Sequence, residues 1–453
     1  MPPIILKEMG DFTGTVMHPI ISFVVIASFF LITVLNIRHS IVLMIFLSIL
    51  IPLGQKLQVF NFNFTVFRLL LLAGWIKILF SSNLTLGKLE KTDRAIIYWV
   101  IISFITYIIQ QYSINAVINR LGFAYNAIGT YFLYRIIIHR RENINTVFNA
   151  LAAVSAVVAI LMLIEQWTGK NLLYVFGGVN EFTGVRYGRI RSQGPFSHSI
   201  VAGIFGAMMF PLFFSMWRHK WGKPFFGIIG TLSACVLVIT CSSSGPIIAG
   251  ISGLIALLFW PLRNNMRKVQ YGIILIAVVY HIITIDPVWA LISKFTVIKG
   301  STGFHRYMLV DNLIVHFEEW FLFGVPTTAH WGFGMEDRVN QYYLEAVNGG
   351  FIKLALFIAI IVYNFKIVGN KIKTTKDVIL QKKFWALGSA LFVNIIGFFG
   401  ISYWDQMLYV WYLFLALITS THLIYGGKHL MVEQNQNEYQ AQVLRGAAQM
   451  DDL

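Results

Sequence analysis

Apolar runs of membrane-spanning length recur along almost the whole chain, separated by short polar segments. Typical runs are PIISFVVIASFFLITVLN from Pro19 and GGFIKLALFIAIIVYNF from Gly349. A helix needs about 20 apolar residues to cross a bilayer, whereas the strands of a membrane barrel alternate apolar and polar residues. The pattern therefore predicts an all-α, polytopic membrane bundle of about 12–14 transmembrane helices.

We place thirteen spans along the sequence. A count of twelve or fourteen is also compatible with the pattern, because the first three spans are short and closely spaced. The predicted spans are residues 19–36, 40–54, 65–81, 95–113, 121–138, 147–166, 198–216, 225–241, 244–261, 270–287, 350–368, 384–401 and 405–425.

The distribution of lysine and arginine predicts the orientation of the bundle. Basic residues concentrate in four short connections, and such connections stay on the cytoplasmic side of a membrane. The opposite, exoplasmic side then receives two long loops, 167–197 and 288–349. Residues 1–425 form one transmembrane domain in this interpretation, and the polar tail 426–453 is cytoplasmic. The basic connections are 139–146, 217–224, 262–269 and 369–383.

The large exoplasmic loop contains a segment with helical periodicity. In HRYMLVDNLIVHFEEWFLFG, from His305, the apolar residues Met308, Leu309, Leu313, Ile314 and Phe317 follow a helical spacing. A loop of this length with its own amphipathic helix is more often functional than a passive connection. We expect this helix to lie along the membrane surface as a lid.

Composition supports a membrane protein and excludes several other classes. Hydrophobic residues make up 57% of the chain and charged residues only 12%, against about 25% charged in soluble domains. The net charge of +15 is explained mostly by the basic cytoplasmic connections, so we expect no nucleic-acid partner. The two cysteines, Cys235 and Cys241, lie in one apolar span and predict neither a disulfide framework nor a zinc site. We find no cleaved signal peptide, no nucleotide-binding loop and no metal-ligand pattern.

Three arginines lie in the first exoplasmic loop, although lysine and arginine usually remain on the cytoplasmic side of a membrane. The stretch RYGRIRSQGPFSHSI contains Arg186, Arg189 and Arg191, followed by His198 at the mouth of the next span, and no acidic residue. Guanidinium groups offer forked donors that suit phosphate oxygens. The stretch therefore predicts a phosphate or diphosphate site, with Arg191 as its first ligand because it is nearest the membrane. The alternative is a structural basic loop attracted to lipid headgroups.

A second exoplasmic arginine opens the amphipathic segment. Arg306 follows a flexible glycine-containing approach. Arginines from two loops could clamp one diphosphate. The alternative is a surface arginine paired with Glu318 or Glu319 farther along the same segment.

Polar residues crowd the end of the large loop, before the span that starts near Gly349. Asp337 or His330 could act as the general base on a sugar hydroxyl. Asn340, Gln341 and Tyr342 could orient substrate hydroxyls. The alternatives are an interfacial loop with an aromatic belt and a purely structural histidine.

Other polar residues lie within or between the spans. Ser243, in CSSSGP, could contact an oxyanion, but we expect this serine-rich turn mainly to cap helix ends. Arg68, Arg135 and Glu165 lie within or at the ends of spans. Ionisable groups at such depths are functional candidates, although snorkelling to the interface explains the two arginines equally well.

These pieces together resemble the O-antigen ligase and polymerase superfamily, which consists of membrane glycosyltransferases of the GT-C type. No single motif is specific, but the ordered set, within about 165–360, is similar to that family. The matching pieces are EQWTGKN from Glu165, GRIRSQGPFSHSIVAGIFGAMMFP from Gly188, TCSSSGP from Thr240, GFHRYML from Gly303, FLFGV from Phe321 and VNQYYLEAVNGGFIKLALF from Val339.

The resemblance implies a GT-C-like fold and transfer of a glycan from undecaprenyl diphosphate. The expected location is the bacterial inner membrane, with the active site facing the periplasm and with no metal, nucleotide or other cofactor. By this resemblance Arg191 and Arg306 bind the diphosphate of the donor. The ligase branch has a histidine in a stretch that here lacks one. The chain is more similar to a branch with the pattern D..NQY…GG, matched by Asp337, Asn340, Gln341, Tyr342, Gly349 and Gly350.

We therefore expect a polymerase of lipid-linked repeat units of O-antigen or exopolysaccharide, with Asp337 as the preferred base and His330 as the second choice. Its partners would be the lipid-linked donor, the glycan acceptor, membrane lipids, and a chain-length regulator or export complex. A ligase that delivers the glycan to lipid A-core or another acceptor is the nearest alternative. A lipid-linked oligosaccharide flippase or other transporter, or a scaffold of an export complex, represents a different class.

Overall fold

The computed structural model describes residues 17–59, 62–81, 84, 86–294, 302–404 and 406–425, so the predicted cytoplasmic tail lies outside the described residues. The described chain is mostly helical. Its α-helices are α1 (Pro19–Val34), α2 (Ile37–Leu50), α3 (Val66–Leu79), α4 (Lys91–Gln111), α5 (Ile114–Ile137), α6 (Arg141–Thr168), α7 (Ser199–His219), α8 (Pro224–Thr240), α9 (Ser244–Leu258), α10 (Met266–Ile283), α11 (Leu291–Lys294), α12 (Gly303–Val315), α13 (Phe317–Trp320), α14 (Gln341–Val347), α15 (Gly350–Thr374), α16 (Val378–Phe398) and α17 (Gln406–Ile424).

Each of the thirteen predicted spans coincides with one of these helices, namely α1–α10 and α15–α17. Some boundaries differ by several residues: α6, for example, begins at Arg141, whereas the apolar run begins at Val147. Hydropathy marks the apolar part of a helix, and the polar first turns of α6 extend beyond that part. The mostly helical structure of the described residues confirms the prediction of an all-α protein.

Six helical segments in the described part of the chain are long and apolar enough to cross a membrane. Four further apolar helices, α1, α2, α8 and α9, have 10–17 residues. The six long segments are Lys91–Gln111, Arg141–Thr168, Ser199–His219, Trp260–Ile283, Gly350–Thr374 and Gln406–Ile424.

Helix α7 forms the centre of the packing and directs its N-terminus toward the candidate site. Most of its side chains are buried, and it contacts α8, α9 and α16. A Cβ atom added at Gly203 would lie 2.4 Å from Cys241 Sγ, and one at Gly206 would lie 2.6 Å from Leu237 Cβ. Small residues at these positions let neighbouring helices approach closely, as is common in membrane bundles.

The large loop builds a small hydrophobic core of its own. Leu309 and Leu313 of α12 are buried with Trp320, Trp331 and Tyr343, which confirms the predicted helix that begins near His305. In contrast, Ile314 and Phe317 are largely exposed. The core therefore forms on one side of α12 and connects it to α14.

Two short hairpins were not predicted. The first joins β1 (Lys56–Val59) to β2 (Phe62–Thr65), and the second joins β3 (Val185–Arg186) to β4 (Arg189–Ile190), both antiparallel. Strands of two to four residues are too short to display the alternation that identifies a strand in a sequence.

Candidate functional site

The three arginines of the first long loop lie on or beside the second hairpin. We call residues 183–194 the cationic loop. Its turn is formed by Tyr187 and Gly188, both with positive φ (50° and 73°), as a two-residue type I′ turn requires. Arg186 and Arg189 are paired directly across the hairpin, and both are exposed. The hairpin thus presents two of the predicted arginines at its tip.

The end of the cationic loop returns to the helices. The Arg191 backbone N–H donates to the Gly184 carbonyl (3.0 Å), and the Ser192 N–H donates to the Thr240 carbonyl at the end of α8 (3.1 Å). Gly194 has φ +58°, and a Cβ atom there would lie 3.1 Å from Met162 Cγ on α6. Glycine is favoured at this position because it tolerates the left-handed conformation. Arg191 is therefore held between α6 and α8.

His198 is the N-cap of α7. Its Nδ1 atom accepts a hydrogen bond from the Ile200 N–H (3.1 Å), so the neutral ring carries its proton on Nε2. The ring lies 6.4 Å from that of Trp404, measured between centroids, and Trp404 Nε1 donates to Ser197 Oγ (2.7 Å). The loop before α17 is thereby fixed against the start of α7.

Arg306 approaches the same region from α12 of the large loop. The residue is only 8% exposed, and its Nε atom is buried without a hydrogen-bond partner in the described part of the chain. Its guanidinium lies beside Gly245, at the start of α9, and Gly400, after α16. Added Cβ atoms would be 3.7 Å and 3.6 Å from the nearest guanidinium atoms, respectively. A buried cation therefore lies against the positive end of a helix dipole.

Electrostatic interactions connect these residues into one site. Burial lowers the pKa of His198 to about 4, and the positive charges of Arg191, Arg186 and Arg306 contribute to this shift. Burial also lowers the pKa of Arg306 to about 10, assisted by Arg186 and Arg191 and opposed by Asp337. We call Arg186, Arg191, His198, Arg306 and Asp337 the arginine cluster. Residues from the two long loops thus converge, as the diphosphate hypothesis requires.

Asp337 is the carboxylate of the arginine cluster. Its Oδ2 atom lies 3.4 Å from His305 Nε2, and its side chain is 41% exposed. The Asp337 N–H donates to the Gly334 carbonyl (3.1 Å), which fixes the backbone in a turn. The carboxylate is therefore accessible while it faces the cations of the site.

His330 belongs to a different group of side chains. Its Nε2 atom lies 2.6 Å from Glu319 Oε2, and His316 Nδ1 lies 2.7 Å from Glu319 Oε1. Trp331 Nε1 also donates to Glu319 (2.9 Å). These bonds, first those from Trp331 and His330, lower the pKa of Glu319 to about 2. Glu319 therefore does not pair with Arg306, because histidine and tryptophan side chains surround its carboxylate.

Asn340, Gln341 and Tyr342 make contacts within the protein. Asn340 caps α14 by accepting from the Tyr343 N–H (3.2 Å), and its buried amide nitrogen has no partner among the described residues. Gln341 donates to Glu345 (2.6 Å) and accepts from the Tyr403 N–H (2.7 Å). Tyr342 donates to the Ile395 carbonyl (3.2 Å). Their predicted role in substrate binding stays a prediction, with Asn340 retaining unused hydrogen-bonding capacity.

Glu345 is the centre of a buried network beside α14. Besides Gln341, it accepts from Trp99 Nε1 (2.9 Å) and lies 3.2 Å from Lys353 Nζ. Glu345 and Lys353 side chains are each 3% exposed. The network joins α4, α14 and α15 and so fixes the segment that follows Asp337.

The remaining sequence candidates have mainly structural contacts. Ser243 precedes α9, but its hydroxyl makes no capping hydrogen bond, so the expected cap is wrong at this residue. Arg135 lies 3.6 Å from the buried Asp93, and Arg68 Nε donates to Asn126 Oδ1 (3.1 Å). Both arginines thus have partners within the protein, and snorkelling to the interface stays a prediction for them.

Two residues of the site were missed in the sequence. His305, which pairs with Asp337, stands directly before Arg306, and this adjacency was the only available signal. Gly400 lies far from Arg306 in sequence, and nothing in its surroundings indicated contact with a guanidinium. Both depend on tertiary packing.

Two comparisons, with models of protein families and with curated proteins, give no match.

Proposed function

We propose that this protein polymerises lipid-linked polysaccharide repeat units at the exoplasmic face of a bacterial inner membrane. In this proposal, a thirteen-helix GT-C-like bundle crosses the membrane and consists of α1–α10 and α15–α17. The arginine cluster binds the diphosphate of an undecaprenyl-diphosphate-linked donor glycan. The observation that carries the proposal is the buried guanidinium of Arg306 beside two further arginines from a separate loop.

Burying the Arg306 guanidinium near other positive charges is costly for the folded protein. A guanidinium removed from water is destabilising unless an anion or hydrogen-bond acceptors compensate for it. Arg186 and Arg191 add repulsion at Arg306, and the start of α9 adds the positive end of a dipole. Anionic oxygens from a bound diphosphate would relieve all three effects, and guanidinium forks match their geometry.

The reaction is a glycosyl transfer. A hydroxyl oxygen of the acceptor repeat unit attacks the anomeric carbon of the donor glycan, and the bond from that carbon to the diphosphate oxygen breaks. The hydroxyl proton passes to a base. The electron pair of the broken bond leaves on undecaprenyl diphosphate, whose developing charge is stabilised by the arginines and by the Nε2–H of neutral His198.

Asp337 is the better candidate for the base. It acts electrostatically on both His198 and Arg306, and its exposed carboxylate can accept a proton from an incoming hydroxyl. His330 is engaged with Glu319 instead. We therefore assign proton acceptance to Asp337 and a structural role to His330.

A transporter would carry polar groups along a path through the membrane and would use interrupted helices. Here the arginine cluster gathers at one end of α7, where the two long loops meet. This arrangement supports an enzyme that acts at one membrane face.

The test uses purified protein with a lipid-linked repeat unit, and separately with lipid A-core as an additional acceptor. Products of increasing length, formed without added nucleotide, support the polymerase. Transfer of one glycan to lipid A-core without chain growth identifies a ligase instead. Activity that survives the combined substitution Arg191→Ala and Arg306→Ala would exclude the diphosphate clamp.

A further inference from the structure

Glu165 is a buried carboxylate that the proposed chemistry does not use directly. It lies in the last turn of α6 and is 1% exposed. Burying a carboxylate is costly unless strong donors compensate for it. The donors that the structure provides for Glu165 come from the cationic loop rather than from lysine or arginine side chains.

The carboxylate joins the two ends of the cationic loop. At the beginning of the loop, Thr183 Oγ1 donates to Glu165 Oε1 (2.9 Å). At the end, the Gly194 N–H donates to Oε2 (2.7 Å), and the Gln193 N–H is shared between both oxygens (3.1 and 3.2 Å). All three predicted arginines of the loop lie between these attachment points.

The hydrogen-bond donors around residue 165 favour a carboxylate side chain at this position. An ionised carboxylate is acceptor-only and can receive several donors, whereas a glutamine amide presents two N–H donors on one side. In Glu165→Gln, one carboxylate oxygen is replaced by an NH2 group, so one of the two acceptor positions that the loop donors occupy is lost. Hydrogen bonds to a charged acceptor are also stronger than those to a neutral one.

The attachment is close to the functional side chain. Gln193 follows Arg191 by two residues, and Gly194 packs directly on α6 beside Met162. A displacement of the Gln193–Gly194 peptide would therefore move Arg191 relative to Arg306, which is held separately by α12, Gly245 and Gly400. Misplacement by about 1 Å can reduce catalysis about a hundredfold.

We propose that Glu165 is a positioning residue, which closes the base of the cationic loop and thereby sets the position of Arg191 for diphosphate binding. This inference rests on the proposed function for its ligand, but the loop closure itself is independent of that function. Glu165 does not contact the reacting atoms in this account. It acts only through the loop.

The experiment compares Glu165→Gln with Glu181→Gln in the full-length protein. Glu181 is a suitable control because it lies at the same loop base but forms an exposed ion pair with Lys170 (2.8 Å). Trypsin cleavage after Arg186 and Arg189 in the folded protein, followed by mass spectrometry, reports closure of the loop. The KM for the lipid-linked donor and the kcat at saturating donor are measured in parallel.

For Glu165→Gln we expect cleavage to become about 10–100-fold faster, because hydrogen bonds to a charged group are lost. The kcat/KM for the donor should fall by about tenfold or more, because a displaced Arg191 contacts the diphosphate less well both in the bound donor and during its departure. Glu181→Gln should resemble the wild type in both measurements. Faster cleavage with an unchanged kcat/KM, or a lower kcat/KM without faster cleavage, would contradict the positioning of Arg191.

Thr183→Val provides a second test if Glu165→Gln does not fold. Valine has a similar shape but removes only the Oγ1 donor at the beginning of the loop. Cleavage should then increase by a smaller factor. If both variants cleave like Glu181→Gln, the inference is wrong. If cleavage increases but wild-type protein has no glycosyl-transfer activity, the loop closure stands and the proposed function fails.

Discussion

At the scale of single residues, Arg306 has the most unusual environment of the site. It is buried, it is repelled by Arg186 and Arg191, and its Nε atom has no partner among the described residues. These features are unfavourable for folding alone. They are explained if an anion completes the site during function.

We predict that Arg306→Ala lowers kcat/KM for the lipid-linked donor by about 10²–10³-fold, the usual effect of removing one preorganised donor from a site of developing negative charge. Arg306→Lys should recover only part of the activity, because an ammonium group cannot form the bidentate fork. Initial rates of chain growth measure both effects. Exposed Arg94 on α4 is the control, and a loss in Arg94→Ala equal to that in Arg306→Ala would contradict the assignment.

The lowered pKa of His198 predicts that the stability of the protein depends on pH. The folded pKa of this residue is lowered to about 4 from an ordinary value of 6.5, so between these values the unfolded state binds the proton and the folded state does not. Stability should therefore decrease as the pH falls from 6.5 to about 4. His198→Asn keeps an N-cap acceptor and should flatten this decrease.

Thermal unfolding in detergent at several pH values measures this effect. The control variant is His39→Asn, which removes an exposed histidine that does not belong to the arginine cluster. Equal slopes for wild type and His198→Asn would show that burial and the arginines do not lower the pKa of this imidazole.

The sequence indicated Arg191, Arg306 and Asp337 as candidates, because each combines a chemically suitable side chain with an unusual compartment or neighbour, and the structure brings them into one cluster. The sequence was insufficient for His305 and Gly400. Their importance comes from contacts between segments that are joined only by packing, and no local pattern encodes those contacts.

At the scale of the elements, the Glu345 network determines how α14 meets α4 and α15. Both charged partners, Glu345 and Lys353, are almost completely buried. Removal of one partner leaves the other without compensation in the interior. The network therefore matters more for stability than an ion pair at the surface.

We predict that Glu345→Ala destabilises the protein by about 3–5 kcal/mol, the cost of an uncompensated buried charge. Glu181→Ala, which breaks the exposed pair with Lys170, should cost only about 0–1 kcal/mol. Denaturant titration in mild detergent gives both values. Similar losses for the two variants would show that burial of the Glu345 pair has no special weight.

The helices were predictable and the hairpins were not. Apolar runs as long as α6 or α7 identify helices directly, whereas β3 and β4 have two residues each and leave no periodic signal. The Gly194 conformation and the closure by Glu165 arise only after α6 and the cationic loop pack together.

At the scale of the whole molecule, the proposal requires the cationic loop and the basic connections to lie on opposite sides of the membrane. Helix α7 extends from His198 beside the arginine cluster to the basic residues Arg218 and His219 in its last turn. The length and hydropathy of α7 are sufficient for it to cross a membrane, and the proposal requires that it does so between these two kinds of segment.

Cysteine labelling in intact cells tests this orientation in a background without Cys235 and Cys241. A cysteine at Tyr187, in the exposed hairpin turn, should react with a membrane-impermeant maleimide. A cysteine at Lys223, in the connection before α8, should react only after permeabilisation. The reverse pattern would place the arginine cluster in the cytoplasm and would contradict the proposed source of its substrate.

Direct binding of undecaprenyl diphosphate to the purified protein tests the proposed diphosphate site, because it requires neither an acceptor nor a complete reaction. Native mass spectrometry can compare this lipid with undecaprenyl monophosphate. We predict that the protein binds the diphosphate lipid more tightly than the monophosphate lipid. In Arg306→Ala the affinity for the diphosphate lipid should fall by about tenfold or more, as expected when a charged hydrogen-bond donor is removed. Equal affinity for the two lipids, unchanged in Arg306→Ala, would contradict this prediction.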